Sequence, residues 1–185
     1  MAHLLDNPIY NALNSRDKDK NSGDESVSYF PVEIAPFIGL PKWDDYGQQQ
    51  LLKRSPRDRN LFIIHAEKVK LLPEMTVKFT IPLYQMVCPK LNQLPSSLPE
   101  PLPLDSSYIE EMIALTTLTK PGPFATRTIE FGNYHGYFEK GRLAAMGGER
   151  MHLEGYSEVS AICTHPDFRG KGYGAQLVHF LSQKV

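Results

Sequence analysis

The run Arg169-Gly170-Lys171-Gly172-Tyr173-Gly174 constrains this chain more than any other segment. It follows a short apolar stretch and leads into residues 175–185, whose apolar positions recur at helical spacing. Glycines at alternate positions permit backbone conformations closed to other residues, so several N–H groups can face one anion. The helix that follows adds the positive end of its dipole. The sequence therefore predicts a strand, a phosphate-binding loop and a helix, in that order.

Two common phosphate-binding motifs explain this loop poorly. A P-loop requires GxxxxGK followed by Ser or Thr, and the chain contains no such run. A dinucleotide-binding fold requires GxGxxG or GxGxxA, and residues 170–175 match the second form. However, residues 165–169 separate the strand from the glycines, and the acidic residue expected about 20 positions further on would fall beyond Val185. A nicotinamide or flavin enzyme is therefore the third and least favoured interpretation.

Composition excludes several classes of protein. With 185 residues, 41% of them hydrophobic, the chain can bury a core as one large domain or two small ones. Lys plus Arg number 20 against 21 Asp plus Glu, so nucleic acid is not an expected partner. Cys88 and Cys163 lie far apart and outside any metal-ligand spacing, which predicts no metal site, no disulfide framework and a cytoplasmic setting. No signal peptide or membrane-spanning apolar run is present, so no membrane association is expected.

The first half of the chain contains weak structural signals. Residues 14–26 are almost wholly polar, which predicts a mobile loop, and residues 44–52 are a helix candidate. Residues 61–64 and 76–81 have strand-like patterns, and we expect the two to pair. Residues 94–103 are proline-rich and form the candidate linker. These signals divide the chain into an N-terminal region, 1–100, and a C-terminal domain, 101–185.

The second half has stronger signals. Asp105 precedes acidic residues and an apolar stripe, which predicts a capped helix over 105–119. Residues 134–139 and 142–150 predict a hairpin, and residues 156–164 a further strand.

Residues 158–177 closely resemble the acetyl-CoA motif of the GNAT superfamily of N-acetyltransferases. In that motif a strand is followed by x-Pro-x-x-Arg-Gly-x-Gly-x-Gly or Ala and then by an apolar helix. Arg169, Gly172 and Gly174 occupy the three defining positions, and Pro166 and Leu177 the flanking ones. The resemblance implies an α/β (α+β) fold, with a mixed, mainly antiparallel sheet flanked by helices and preceded by a smaller α+β region. The N-terminal region is similar to the first half of two-part members, where it helps shape the acceptor site.

The resemblance also implies the ligands. Acetyl-CoA is the expected cosubstrate, with its pyrophosphate at the glycine loop and its pantetheine arm along the last strand. The expected acceptor is the amine of a small molecule. The implied cofactor-binding residues are Ile162, Cys163, Thr164, Arg169, Gly170, Lys171, Gly172, Tyr173, Gly174 and Ala175.

The implied mechanism is direct attack of the amine on the thioester in a ternary complex, which requires a base, a donor to the carbonyl oxygen and an acid for the thiolate. Glu158 is the first candidate base, with Tyr156 on the same strand face to orient the acceptor or a water. Glu149 is the alternative base, although a salt bridge to a nearby Arg is the expected role there. His165 is expected to cap the loop, and Cys163 to be a buried strand residue rather than a nucleophile.

Family members continue after this helix with further strands, which often carry a tyrosine that protonates the thiolate, whereas this sequence stops at Val185. The domain is therefore expected to be C-terminally incomplete. An impaired CoA-binding module is the alternative function, and the open edge of strand 156–164 could recruit a second copy as a homodimer.

Overall fold

A computed structural model describes residues 3–57, 59–95 and 98–185. The chain forms two compact units. The first comprises residues 1–31 and 36–89, and the second comprises residues 32–35 and 90–185.

The first unit is built around a small antiparallel sheet. Helix α1 (Pro8–Leu13) precedes strands β1 (Ser28–Tyr29) and β2 (Ile38–Gly39), which pair with each other, and helix α2 (Asp45–Arg54) follows. The Asp44 carboxylate accepts a hydrogen bond from the Gly47 N–H at 2.8 Å and so caps the start of α2. The helix predicted over 44–52 is confirmed.

Residues 14–26 differ from the predicted mobile loop. They contain a 3-10 turn at Lys18–Lys20, and Asp17 is buried with a carboxylate oxygen 3.4 Å from Lys20 Nζ. The Asn14 amide nitrogen donates to Ser28 Oγ at 2.9 Å. Polar side chains, rather than an apolar anchor, therefore hold this segment in place.

The expected pairing of strands 61–64 and 76–81 is wrong. Phe62 forms a single parallel bridge with Phe37, and residues 76–81 have no strand assignment. The apolar side chains of the second segment are more than half exposed, for example Phe79 at 58%. Alternation indicates an extended backbone, but it does not supply a partner strand.

The second unit contains a four-stranded antiparallel sheet in the order β3, β4, β5, β6. Its strands are β3 (Leu102–Pro103), β4 (His135–Glu139), β5 (Arg142–Leu153) and β6 (Tyr156–Thr164). The predicted hairpin and the strand after it are therefore confirmed, although β5 runs three residues longer than expected.

The end of the predicted linker is an edge strand. Residues 102–103 form β3, and an edge position tolerates Pro103 because proline has no N–H to donate. Ser96 and Ser97 of the same predicted linker lie outside the described residues.

Two helices cover opposite faces of this sheet. Helix α3 (Ile109–Thr119) follows a 3-10 turn that Asp105 caps, as predicted, and helix α4 (Tyr173–Ser182) follows β6. A Cβ at Gly147 would contact Leu181 of α4, whereas a Cβ at Gly148 would meet the ring of Tyr134, which packs with α3. Because neighbouring strand residues face opposite ways, each helix covers its own face. The predicted fold class, a mainly antiparallel sheet flanked by helices, is confirmed.

Candidate functional site

The loop between β6 and α4 is the candidate phosphate site. A 3-10 turn, Pro166–Phe168, follows β6, and His165 Nδ1 accepts a hydrogen bond from the Asp167 N–H at 3.2 Å. Gly170 and Gly172 then have φ of 81° and 84°. Residues with a side chain are strained in this left-handed region, so the backbone path itself requires glycine at both positions.

Helix α4 begins without a side-chain cap. Its N-cap residue is Gly172, and the first N–H groups of a helix have no partner inside the helix. A Cβ added at Gly174 would lie 3.8 Å from Ile162 Cγ2 and 4.0 Å from Thr164 Oγ1, which is ordinary contact. The fold therefore does not need glycine at 174. These uncapped N–H groups and the helix dipole favour an anion at the start of α4.

The Lys171 ammonium is held by a neighbouring strand. Its Nζ lies 2.5 and 2.7 Å from the two carboxylate oxygens of Glu139 on β4, and the Tyr173 hydroxyl donates to the same carboxylate. The hydrogen bonds from Lys171 and Tyr173 lower the pKa of Glu139, and the bond to Glu139 raises the pKa of Tyr173 to about 12. Lys171 thus stands at the predicted loop, paired with a carboxylate.

A cleft brings together several of the predicted cofactor-binding residues. It has a volume of about 330 Å³ and opens between the end of α3 and the end of β6. Its lining consists of Thr119, Pro121, Ile162, Cys163, Thr164 and Arg169. Arg169 is therefore placed beside the strand residues predicted to contact the pantetheine arm.

The backbone of β6 is irregular beside this cleft. Among the described strands, β6 pairs with β5 alone, so its other edge is open. Between the pairs Met146–Cys163 and Gly148–Ser160, two residues of β6 stand against one of β5, and Ala161 there has φ of 55°. A bulge redirects backbone N–H groups and often lies next to an active site. The alanine is strained by about 1–2 kcal/mol, a cost that functional sites commonly carry.

Glu158, the predicted base, is engaged in an ion pair. It stands opposite Arg150 in the sheet, and its two carboxylate oxygens accept hydrogen bonds from Arg150 Nε at 2.9 Å and Nη2 at 2.5 Å. The Glu158 side chain is 36% exposed, so solvent reaches it. Tyr156, at the first position of β6, is partly buried and lies two residues away on the same strand.

Glu149 forms a cluster that the sequence did not predict. The expected salt bridge to an Arg is wrong: Glu149 is buried, and its carboxylate accepts from Asn133 Nδ2 at 2.5 Å and lies 2.8 Å from His152 Nε2. Met151, with φ of 51°, marks a bulge that turns His152 toward Glu149. The sequence carries no glycine at this position to signal the bulge.

Cys163 lies in the apolar cluster against α3 rather than beside an activating base. Burial raises the pKa of its thiol, which outweighs the opposing hydrogen bond with Thr119. The thiol therefore stays protonated at neutral pH, which disfavours nucleophilic catalysis.

Two negative findings apply to the part of the chain that the structure describes. No group of three or more His, Cys, Asp or Glu side chains is arranged to hold a metal ion there. No helix in residues 3–57, 59–95 and 98–185 combines the length and apolar character needed to cross a bilayer.

Comparisons with known proteins identify the class. The FR47-like protein family model matches residues 134–185, which include the whole glycine loop. A crystal structure from Novosphingobium aromaticivorans DSM 12444, provisionally described as an acetyltransferase of the GNAT family, matches with a TM-score of 0.80 and 26% sequence identity. The match covers 99% of this chain and 81% of that chain. A comparison with curated proteins finds no match.

The fold and the glycine loop therefore define an acyltransferase-type domain. The fold of this chain is that of a GNAT acetyltransferase, and the match of residues 134–185 to the FR47-like model supports membership of the GNAT superfamily. The resemblance identified from residues 158–177 is confirmed.

Proposed function

We propose that this protein is an N-acyltransferase that moves an acetyl group from acetyl-CoA to the amine of a small molecule. One observation carries the proposal: the uncapped start of α4, with its two left-handed glycines, lies next to the open, bulged edge of β6. The first element suits a pyrophosphate, and the second offers strand backbone to the amides of a pantetheine arm. The fold itself does not require glycine at 174, so a glycine there is consistent with close approach of this ligand to the backbone.

The reaction forms a bond between the amine nitrogen and the acyl carbon, breaks the carbon–sulfur bond and releases a proton and a thiolate. A backbone N–H at the Ala161 bulge is the proposed donor to the carbonyl oxygen. Glu158 is the proposed base and accepts the amine proton directly or through water, while Tyr156 orients the acceptor. Arg150 must give up part of its bidentate contact with Glu158 for this step.

That ion pair also supports a second candidate function. A carboxylate whose oxygens both accept from one guanidinium is poorly placed to take a further proton. If Arg150 retains this contact in the ternary complex, the protein binds acetyl-CoA without turnover.

Calorimetry with acetyl-CoA tests the proposal. Gly172→Glu places a carboxylate at the proposed pyrophosphate site and is expected to abolish the binding heat. Gly155→Glu is the matched control, because Gly155 also has a positive φ, 77°, and lies beyond the opposite end of β6. Equal heats from both variants and the wild type would contradict the assigned site.

Thiol release with a panel of small amines separates the two candidates. The enzyme is expected to release thiol with at least one amine, and Glu158→Gln is expected to lower kcat by about 10²-fold or more with unchanged acetyl-CoA affinity. Binding without thiol release for every amine would favour the binding module.

A further inference from the structure

The ion pair of Arg150 and Glu158 stands on the face of the sheet that α3 covers. The two residues oppose each other across β5 and β6, and both carboxylate oxygens accept from the one guanidinium. Arg150 shares its face of β5 with Gly148, where a Cβ would meet the ring of Tyr134. Because Tyr134 is buried and packs with α3, the pair lies beside the core of this face.

The ion pair occupies a short regular stretch between two bulges. The register of β5 and β6 shifts before Gly148 and again after Arg150, so residues 148–150 and 158–160 pair regularly between the two shifts. Bulges of this kind re-aim side chains next to active sites. The Glu158 side chain is 36% exposed and that of Arg150 only 19%, so the carboxylate is the more accessible partner.

This arrangement limits which acceptors the proposed reaction can use. Glu158 must free an oxygen lone pair to take a proton from the amine, so it loses part of its contact with Arg150. Withdrawing a carboxylate from a largely buried guanidinium is costly unless another anion takes its place. An acceptor that carries its own anionic group can supply that anion, whereas a plain amine cannot.

The charges of the pair are complementary to those of a zwitterion. The ammonium of an amino acid can donate to Glu158, and its carboxylate suits the parallel N–H groups of the Arg150 guanidinium. Each of the four charges then faces an opposite charge. A polyamine would instead bring a further cation next to Arg150, which is unfavourable.

We propose that the acceptor is a free amino acid, whose carboxylate is bound by Arg150 while its ammonium gives a proton to Glu158. This inference rests on the proposed function, because it names the acceptor of the same reaction. The resulting amine attacks the acyl carbon, the carbon–nitrogen bond forms and the carbon–sulfur bond breaks. The second nitrogen proton balances the thiolate, so the products are an N-acetylamino acid and free thiol, and Glu158 returns its proton to water.

Thiol release with amino acids and their amides tests the inference. Amino acids with side chains of different size are each compared with the matching amide, which keeps the side chain and lacks the carboxylate. The amine of the amide is the less basic one, so a preference for the acid must come from recognition of the carboxylate. We expect at least one amino acid to be favoured over its amide by about 10²-fold or more in kcat/KM.

Substitution of Arg150 assigns this preference to one residue. Arg150→Gln should lower kcat/KM for the acid by about 10²-fold without lowering it for the amide, and should leave the Kd for acetyl-CoA unchanged. Arg150→Lys keeps the charge without the planar fork and should give an intermediate preference. Arg127→Gln is the matched control, because Arg127 also donates two hydrogen bonds to one carboxylate, that of Glu130, at an exposed turn. It is expected to change neither quantity.

The possible outcomes separate this inference from the proposed function. Equal rates for acids and amides, or a preference for amides or polyamines, would overturn the amino acid acceptor and leave the acetyltransferase intact. An acid preference that persists in Arg150→Gln would overturn the role of Arg150. If acetyl-CoA binds and no acceptor releases thiol, the proposed function fails, and the acceptor fails with it.

Discussion

The two glycines that flank Tyr173 provide a test in which the same methyl group has opposite effects on stability. Gly172 has φ of 84°, so alanine there costs about 1–2 kcal/mol in the left-handed region. The cost is conformational, because the nearest atom to the new Cβ would be Leu98 Cδ1 at 3.9 Å. Gly174 lies within the first turn of α4 without a positive φ, so alanine there gains about 0.5–1 kcal/mol. The two variants should differ by about 1.5–3 kcal/mol.

Thermal unfolding by far-UV circular dichroism measures this difference. For a chain of this length, 1 kcal/mol shifts Tm by about 2–4 °C. Gly172→Ala should therefore melt about 2–8 °C below the wild type, and Gly174→Ala about 1–4 °C above it. Amide hydrogen exchange over Tyr173–Ser182 then shows whether the change lies in α4.

Gly155→Ala separates backbone strain from ligand binding. Gly155 has φ of 77°, and a Cβ there would meet no atom within 4 Å, so its alanine variant carries the same strain as Gly172→Ala. We expect the Gly155 variant to lose as much stability and to keep wild-type affinity for acetyl-CoA, whereas the Gly172 variant loses both. The reasoning would be refuted if Gly172→Ala were as stable as the wild type, or if Gly174→Ala were the less stable of the pair.

Three further perturbations test other parts of the structure. Iodoacetamide should alkylate exposed Cys88 well before buried Cys163, whose thiol pKa is raised by burial, and peptide mass mapping over time gives the order. Hydrogen bonds from Ser107 lower the pKa of Asp105 in the folded state, so the stability that this cap adds is present above the ordinary carboxylate pKa and is lost as pH falls through the folded pKa. The difference in free energy of unfolding between the wild type and Asp105→Asn should therefore shrink in denaturation series at acid pH. Glu139→Gln removes the carboxylate that holds Lys171, and the Kd for acetyl-CoA should fall by about two- to fivefold, a change that calorimetry at neutral pH can resolve.

The sequence predicts local backbone structure correctly where a residue type is strongly associated with one conformation. Gly170 and Gly172 adopt left-handed backbone, and the sequence marks them because few other residues tolerate it. The Lys140-Gly141 turn behaves in the same way, with φ of 51° and 74°, and it fixes the hairpin of β4 and β5. The cap at Asp105 was also predictable, because its side chain accepts a hydrogen bond from the N–H of Ser107, only two residues away.

The sequence does not predict the bulges in β5 and β6, because the residues that form them are not associated with one conformation. Ala161 and Met151 both have positive φ, yet neither is a residue that normally signals it. Their conformations follow from how β5 and β6 pair, which is a long-range property. As a result the sequence placed Glu149 and His152 on a strand but could not bring them into contact, and it could not anticipate that Arg150 would engage Glu158.

The proline-rich run at residues 94–103 shows how a correct local prediction can still miss a packing contact. Prolines at 95 and 99 exclude a helix or a central strand, so the sequence predicts a linker over residues 94–103. Leu94 and Leu98 also lie in that run, and Leu98 packs against the cluster under α4. Because a solvated linker gains nothing from leucine, apolar residues between prolines indicate a segment that covers something. Leu98 therefore connects the end of this run to the start of α4, a long-range contact that the proline pattern alone could not predict.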